Sequence, residues 1–186
     1  PRLDYAMNAA VMLSYVAKKR GDTVSVACFS NRIEAFLPLV KGSAIMPYVL
    51  ETLVTVRGRN VESDYWQVFA QVLSSLNRRS LVVVFTDLAD PVGASGLIHN
   101  LVRAARTHLV LCVVLSEPLV DAVARSIPED ETGAYRKAAA SFVRIRRYTA
   151  LEHLRSKGIL TLESDPDRLS IRLIERYLEI RRSDLQ

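Results

Sequence analysis

Leu81-Val82-Val83-Val84-Phe85 is a run of five apolar residues that stops abruptly at Thr86-Asp87. An apolar run bounded by polar residues is how a strand reads when both its faces are buried in a parallel sheet. The pattern therefore predicts a central strand with Asp87 at its carboxyl end. Leu109 to Leu115 (LVLCVVL) reads the same way. Between the two lies a helical stretch from about Gly93, with Leu97, Ile98, Leu101 and Ala105 facing inward. That is an ordinary crossover length, so the two strands are expected to be parallel neighbours.

Upstream, Leu3, Ala6, Ala10, Leu13 and Ala17 recur at helical spacing until Lys18-Lys19-Arg20-Gly21, a basic last turn followed by glycine. Thr23 to Phe29 predicts a strand, and Ser30-Asn31-Arg32 turns it into a second arm, Ile33 to Leu37, bounded by Pro38 as an edge strand would be. Lys41-Gly42-Ser43 opens a second helix with Ile45, Val49, Leu50 and Leu53 on one side. A third helix starts at Ser63-Asp64, whose side chains suit its free amides, with Trp66, Phe69, Val72, Leu73 and Leu76 as its apolar face.

Downstream, a short helix from Ser116-Glu117-Pro118 ends at Ile127-Pro128. Glu129-Asp130-Glu131 then begins a long helix to Lys157-Gly158, with Tyr135, Ala139, Phe142 and Ile145 expected inward. Ile159 to Leu162 is a short last strand. Ser164-Asp165-Pro166-Asp167 starts a final helix that buries Leu169, Leu173, Ile174, Tyr177 and Leu178. The order predicts one α/β domain over residues 1–186, a doubly wound, mostly parallel sheet with an antiparallel edge strand.

Composition narrows the function classes. The 186 residues are 49% hydrophobic, enough for one full core. No apolar run approaches the roughly 20 residues of a membrane span, so the chain is expected to be soluble. Cys28 and Cys112 sit inside apolar strand patterns and read as buried thiols. Neither GxGxxG nor GxxxxGK occurs, no GxSxG elbow is present, and His99, His108 and His153 stand alone. Residues 134–186 hold 12 Lys or Arg against 7 Asp or Glu, a surplus of five that equals the whole net charge. Arg144, Arg146 and Arg147 form either a solvated face or a contact for a protein or an anionic surface. The scarcity of exposed aromatics for base stacking argues against nucleic acid.

The carboxyl edge of an open parallel sheet is where ligands bind, and this sequence puts oxygen there. Ser63 and Asp64, Thr86 and Asp87, and Ser30 and Ser116 after two other strands are hard donors of the kind that hold Mg²⁺ or Mn²⁺. One carboxylate among hydroxyls leaves such an ion under-neutralised, ready to take an acidic group from a partner. The same residues also suit a purely structural role, with Ser63 capping its helix and Asp87 shaping the turn before Pro91.

Several short stretches occur in a telling order. They are Arg2-Leu3-Asp4-Tyr5-Ala6, Ala17 to Asp22, Cys28-Phe29-Ser30, Glu62-Ser63-Asp64-Tyr65, Phe85-Thr86-Asp87-Leu88, His108 to Leu111, and Arg176 to Ile180. In this combination the chain resembles the bacterial family called domain of unknown function fifty-eight. The resemblance implies a von Willebrand factor A-like, Rossmann-like domain of the sort often encoded beside MoxR-type AAA+ ATPases. In such domains a metal-ion-dependent adhesion site joins an Asp-x-Ser-x-Ser loop, a hydroxyl from a second loop, and an aspartate after the fourth strand. By resemblance, Asp87 matches that aspartate and Ser63 or Asp64 the second loop. The Asp-x-Ser-x-Ser loop is not in the sequence. The expectation is either a chain cut from a longer parent before its first central strand, metal being weak or absent in the fragment, or a protein that never had the site. The resemblance further implies a cytoplasmic domain of a parent held in the bacterial inner membrane.

Two functions from different classes follow. One is a non-enzymatic interaction module that recruits a protein, an AAA+ ATPase or its substrate, through the carboxyl edge. The alternative is a metal-dependent hydrolase using Asp87 as ligand, against which stands the want of a paired histidine or reactive cysteine.

Overall fold

The structure is a computed structural model that describes residues 2–58, 65–86, 88 and 91–183. It is an α/β chain whose residues group into two compact units, 1–79 with 166–186, and 80–165.

The first unit contains α1 (Arg2–Lys19), β1 (Val24–Phe29), β2 (Ile33–Val40), α2 (Ile45–Val54), α3 (Tyr65–Ser74) and, from the chain's end, a 3₁₀ turn (Pro166–Arg168) and a C-terminal helix, α7 (Leu169–Ser183). Helix α1 stops at Gly21 because only glycine adopts its φ of +78° without strain. The Gly21 amide donates to Lys18 O (3.0 Å) and the Asp22 amide to Ala17 O (3.0 Å), a Schellman closure that satisfies two carbonyls of the last turn. That closure fixes Asp22, whose carboxylate accepts from the Tyr177 hydroxyl and from Arg181, both on α7. Burial, then the hydrogen bond to Asp22, raises the Tyr177 phenol above its usual range.

Strands β1 and β2 pair antiparallel. The second arm does not end at Pro38, as the sequence suggested. It runs to Val40 because Pro38 falls in a bulge, where β1 advances from Val26 to Val24 while β2 advances from Leu37 to Val40. A residue with no amide hydrogen is tolerated there. Leu37, Ile45, Val49 and Leu53 form the buried centre of the unit, with Met7, Val11, Val26 and Cys28 packed on it. Leu50 is exposed, since the buried stripe of α2 follows Ile45, Val49 and Leu53 at intervals of four. Trp66 is exposed as well; α3 is turned so that Val68 and Phe69 are buried, with Phe69 edge-on to Phe29 at 6.4 Å.

The second unit contains β3 (Leu81–Thr86), α4 (Pro91–Ala104), β4 (Leu109–Leu115), α5 (Pro118–Arg125), α6 (Glu131–Ser156) and β5 (Leu160–Ser164). The strands form a parallel sheet in the order β3-β4-β5. The parallel neighbours expected from the two apolar runs are present, with Leu81 opposite Leu109 and Thr86 opposite Val114. The centre, however, is β4 rather than β3. Val110 to Leu115 are all buried, whereas β3 is half-buried apart from Val84. An apolar run reports burial of a strand's faces, and its place in the sheet order is set by pairing, which the run does not encode. Among the described residues the hairpin pairs only with itself, so the antiparallel strands form a separate sheet from the parallel three.

Asp130 caps α6 by accepting from the Gly133 amide (2.6 Å). The helix ends in a second Schellman closure around Gly158, with Ile159 N donating to Leu154 O (3.1 Å). Its rotation differs from the expectation. Tyr135, Ala139, Phe142 and Ile145 are exposed, and the buried stripe is Ala140, Arg147, Leu151 and Leu154. The helix carries apolar residues on two opposite faces, so periodicity alone selected the wrong one.

Candidate functional site at the carboxyl edge

Four residues were expected to hold a divalent cation. Ser63, Asp64 and Asp87 lie outside the described residues. Thr86 is the last residue of β3, half-buried, in register with Val114 of β4. Its position at the carboxyl edge follows directly from the parallel register, and a hydroxyl is a hard donor suited to Mg²⁺ or Mn²⁺. Among the described residues, no three His, Cys, Asp or Glu side chains gather closely enough to hold a metal.

The serines at the other strand ends have definite partners. Ser30 is buried in the β1–β2 turn, its Oγ lying 2.8 Å from Glu34 Oε1 and 3.1 Å from Asn31 Oδ1. Ser116 extends the ladder past β4, its amide donating to Ser164 O (2.9 Å). Its hydroxyl donates to Asp165 Oδ1 across the edge. Ser116 and Ser164 are both buried. Hydroxyl and carboxylate therefore hold the loops after β4 and β5 together.

Beside them stands Arg147, expected on a solvated or partner-facing surface and found in the core instead. Arg147 is 2% exposed and faces Glu117 (3.5 Å) and Glu163 (3.6 Å), two carboxylates that flank the ends of β4 and β5. Its Nε has no partner. The available signal was spacing, since Arg147 shares the stripe of Ala140, Leu151 and Leu154. A buried guanidinium requires charged partners, and the strand-end glutamates supply them.

The other arginines singled out in the sequence have different surroundings. Arg144 pairs with Asp121 of α5 at 3.1 Å. Arg146 is exposed and lies over the Phe142 ring, 4.0 Å from its centroid. Of the three, Arg144 and Arg146 are on the surface and Arg147 is in the core. The histidines are similarly separate: His99 and His153 are exposed, and His108 is buried at the entry to β4, where its Nδ1 accepts from the Ser80 amide (3.4 Å). Both thiols are held neutral, Cys28 raised by burial and Cys112 pushed up to about 12 by the same cause.

The sequence profile of a family described as a protein of unknown function, DUF58, matches residues 2–146. The chain belongs to the DUF58 family. The match runs from α1 through β4 and ends inside α6, so it includes β3, Thr86 and the three expected ligands outside the described residues. No curated protein and no solved structure matches this DUF58 chain. No helix among its described residues is long and apolar enough to cross a membrane.

Proposed function

We propose that this DUF58 protein is a von Willebrand A-type interaction module without enzymatic activity of its own. It recruits a MoxR-type AAA+ ATPase, or that ATPase's substrate, in the bacterial cytoplasm at the carboxyl end of β3. The reading is supported most by Thr86, which the parallel register of β3 with β4 brings to the carboxyl edge of the sheet. After β4 and β5 the polar groups serve one another, Ser116 with Asp165 and Arg147 with Glu117 and Glu163. These contacts give the edge its shape. Recognition is assigned to the end of β3, where Thr86 precedes Asp87 in the sequence.

In this account Thr86 and Asp87, with Ser63 or Asp64, hold Mg²⁺ or Mn²⁺ in the intact protein. When bound, the cation supplies positive charge that a partner's carboxylate completes. The protein's own part is positional: β3 is registered against β4 over its whole length, which fixes Thr86 relative to the edge.

Co-sedimentation of the full-length protein with the MoxR-type ATPase of the same genome tests the reading. Complex formation with Mn²⁺, lost on chelation and in Asp87→Ala, is expected. A complex that survives both treatments contradicts the site, and a metal-dependent hydrolytic activity abolished by Asp87→Ala would instead establish the enzyme.

A further inference from the structure

Helix α6 buries one stripe and displays another. Tyr135, Phe142, Ile145 and Tyr148 are 72, 54, 63 and 63% exposed. Phe142 and Ile145 each stand two residues from a buried position, Ala140 and Arg147, which is about 200° around a helix. The displayed stripe is thus on the side away from the core, and it extends for about 20 Å.

Its spacing is that of a helix-pairing seam. Tyr135, Ala138, Phe142, Ile145 and Thr149 alternate at three and four residues, the a and d positions of two successive heptads. Ala138 and Ala139 leave a shallow gap between Tyr135 and Phe142, which a side chain of a facing helix can enter as a knob enters a hole. A lipid surface gains nothing from such a gap.

Charge decides the kind of helix. Between Glu131 and Glu152 the chain has five basic residues, Arg136, Lys137, Arg144, Arg146 and Arg147, and no acidic one. Arg147 is spent in the core and Arg144 pairs with Asp121, but Arg146 lies along the stripe on the Phe142 face. A second copy of α6 would set cation against cation in either direction, which is unfavourable. We infer that the outer face of α6 docks an acidic amphipathic helix of a protein partner, its apolar seam against Phe142 and Ile145 and its carboxylates beside Arg146. This surface is separate from the β3 end and stands whether or not a metal is held there.

The test uses the full-length protein and a labelled three-heptad peptide with Leu at a and d and Glu at e and g, followed by fluorescence anisotropy. A matched peptide with Lys for Glu is the control. Saturable binding of the Glu peptide is expected, with about tenfold loss for Phe142→Ser/Ile145→Ser and severalfold loss for Arg146→Glu or at high salt. Arg146 is exposed, so its variant keeps the test decisive should the double variant fail to fold. Equal binding of the two peptides, or no binding of the Glu peptide, overturns the inference. So does α6-dependent adsorption to phosphatidylserine vesicles in place of peptide binding, or α6-dependent dimerisation in sedimentation.

Discussion

Tyr177 on α7 donates its hydroxyl hydrogen to Asp22 in the turn after α1, joining residues 155 positions apart. The same carboxylate accepts from Arg181, whose Nη2 also donates to Arg20 O at 3.3 Å. One acid therefore anchors the last helix of the chain to the end of the first. Asp22→Ala should lower stability by about 1–2 kcal/mol, at the lower part of the range for charged hydrogen bonds because the group is partly exposed. Urea unfolding measures it, and Tyr177→Phe should cost about half as much.

The same contact sets a direction with pH. Burial and the Asp22 hydrogen bond raise the folded Tyr177 phenol above its ordinary 10.0. A folded value above the unfolded one means the contribution is whole below pH 10 and is lost as pH rises through the folded value. The unfolding free energy should fall more steeply above pH 10 in the parent protein than in Tyr177→Phe. Parallel curves would remove the phenol from the account.

Arg147 yields an asymmetric pair of outcomes. Removing both partners, in Glu117→Gln/Glu163→Gln, leaves a buried guanidinium without counter-charge and should cost about 2–4 kcal/mol. Arg147→Met keeps the apolar stem and removes the buried cation, so it should change stability by about 1 kcal/mol or less. Chemical denaturation of the three proteins compares them. Equal losses would mean that the pairing contributes no more than packing.

The thiols should differ in reactivity. Cys112 is fully buried with its thiol pushed up to about 12, while Cys28 is half-buried. A thiol reagent at pH 8 should modify Cys28 slowly and Cys112 only on unfolding, since the thiolate is the reactive form.

Elements with a single apolar face were legible from sequence, and those with two were not. Leu169, Leu173 and Tyr177 lie on the buried stripe of α7 as periodicity indicated, because the rest of that helix is largely polar. On α6, Phe142 and Ile145 offered a stripe as plausible as Ala140 and Leu151, and the choice was settled by tertiary contacts invisible to periodicity. The apolar runs located β3 and β4 but could not rank them within the sheet, because order depends on pairing partners distant in sequence. At the site, parallel register puts Thr86 at the expected edge. Arg147 was expected on a surface, and its pairing with Glu117 and Glu163 was not foreseen, because charged residues read as surface until packing brings opposite charges together.

The proposed function puts a divalent-metal adhesion site at the end of β3. Calorimetric titration of Mn²⁺ into the full-length protein and its Asp87→Ala variant tests for that site. One saturable site is expected in the parent protein and none in the variant. The same heat from both proteins, or no binding by either, would contradict it and leave Asp87 as a residue of the turn.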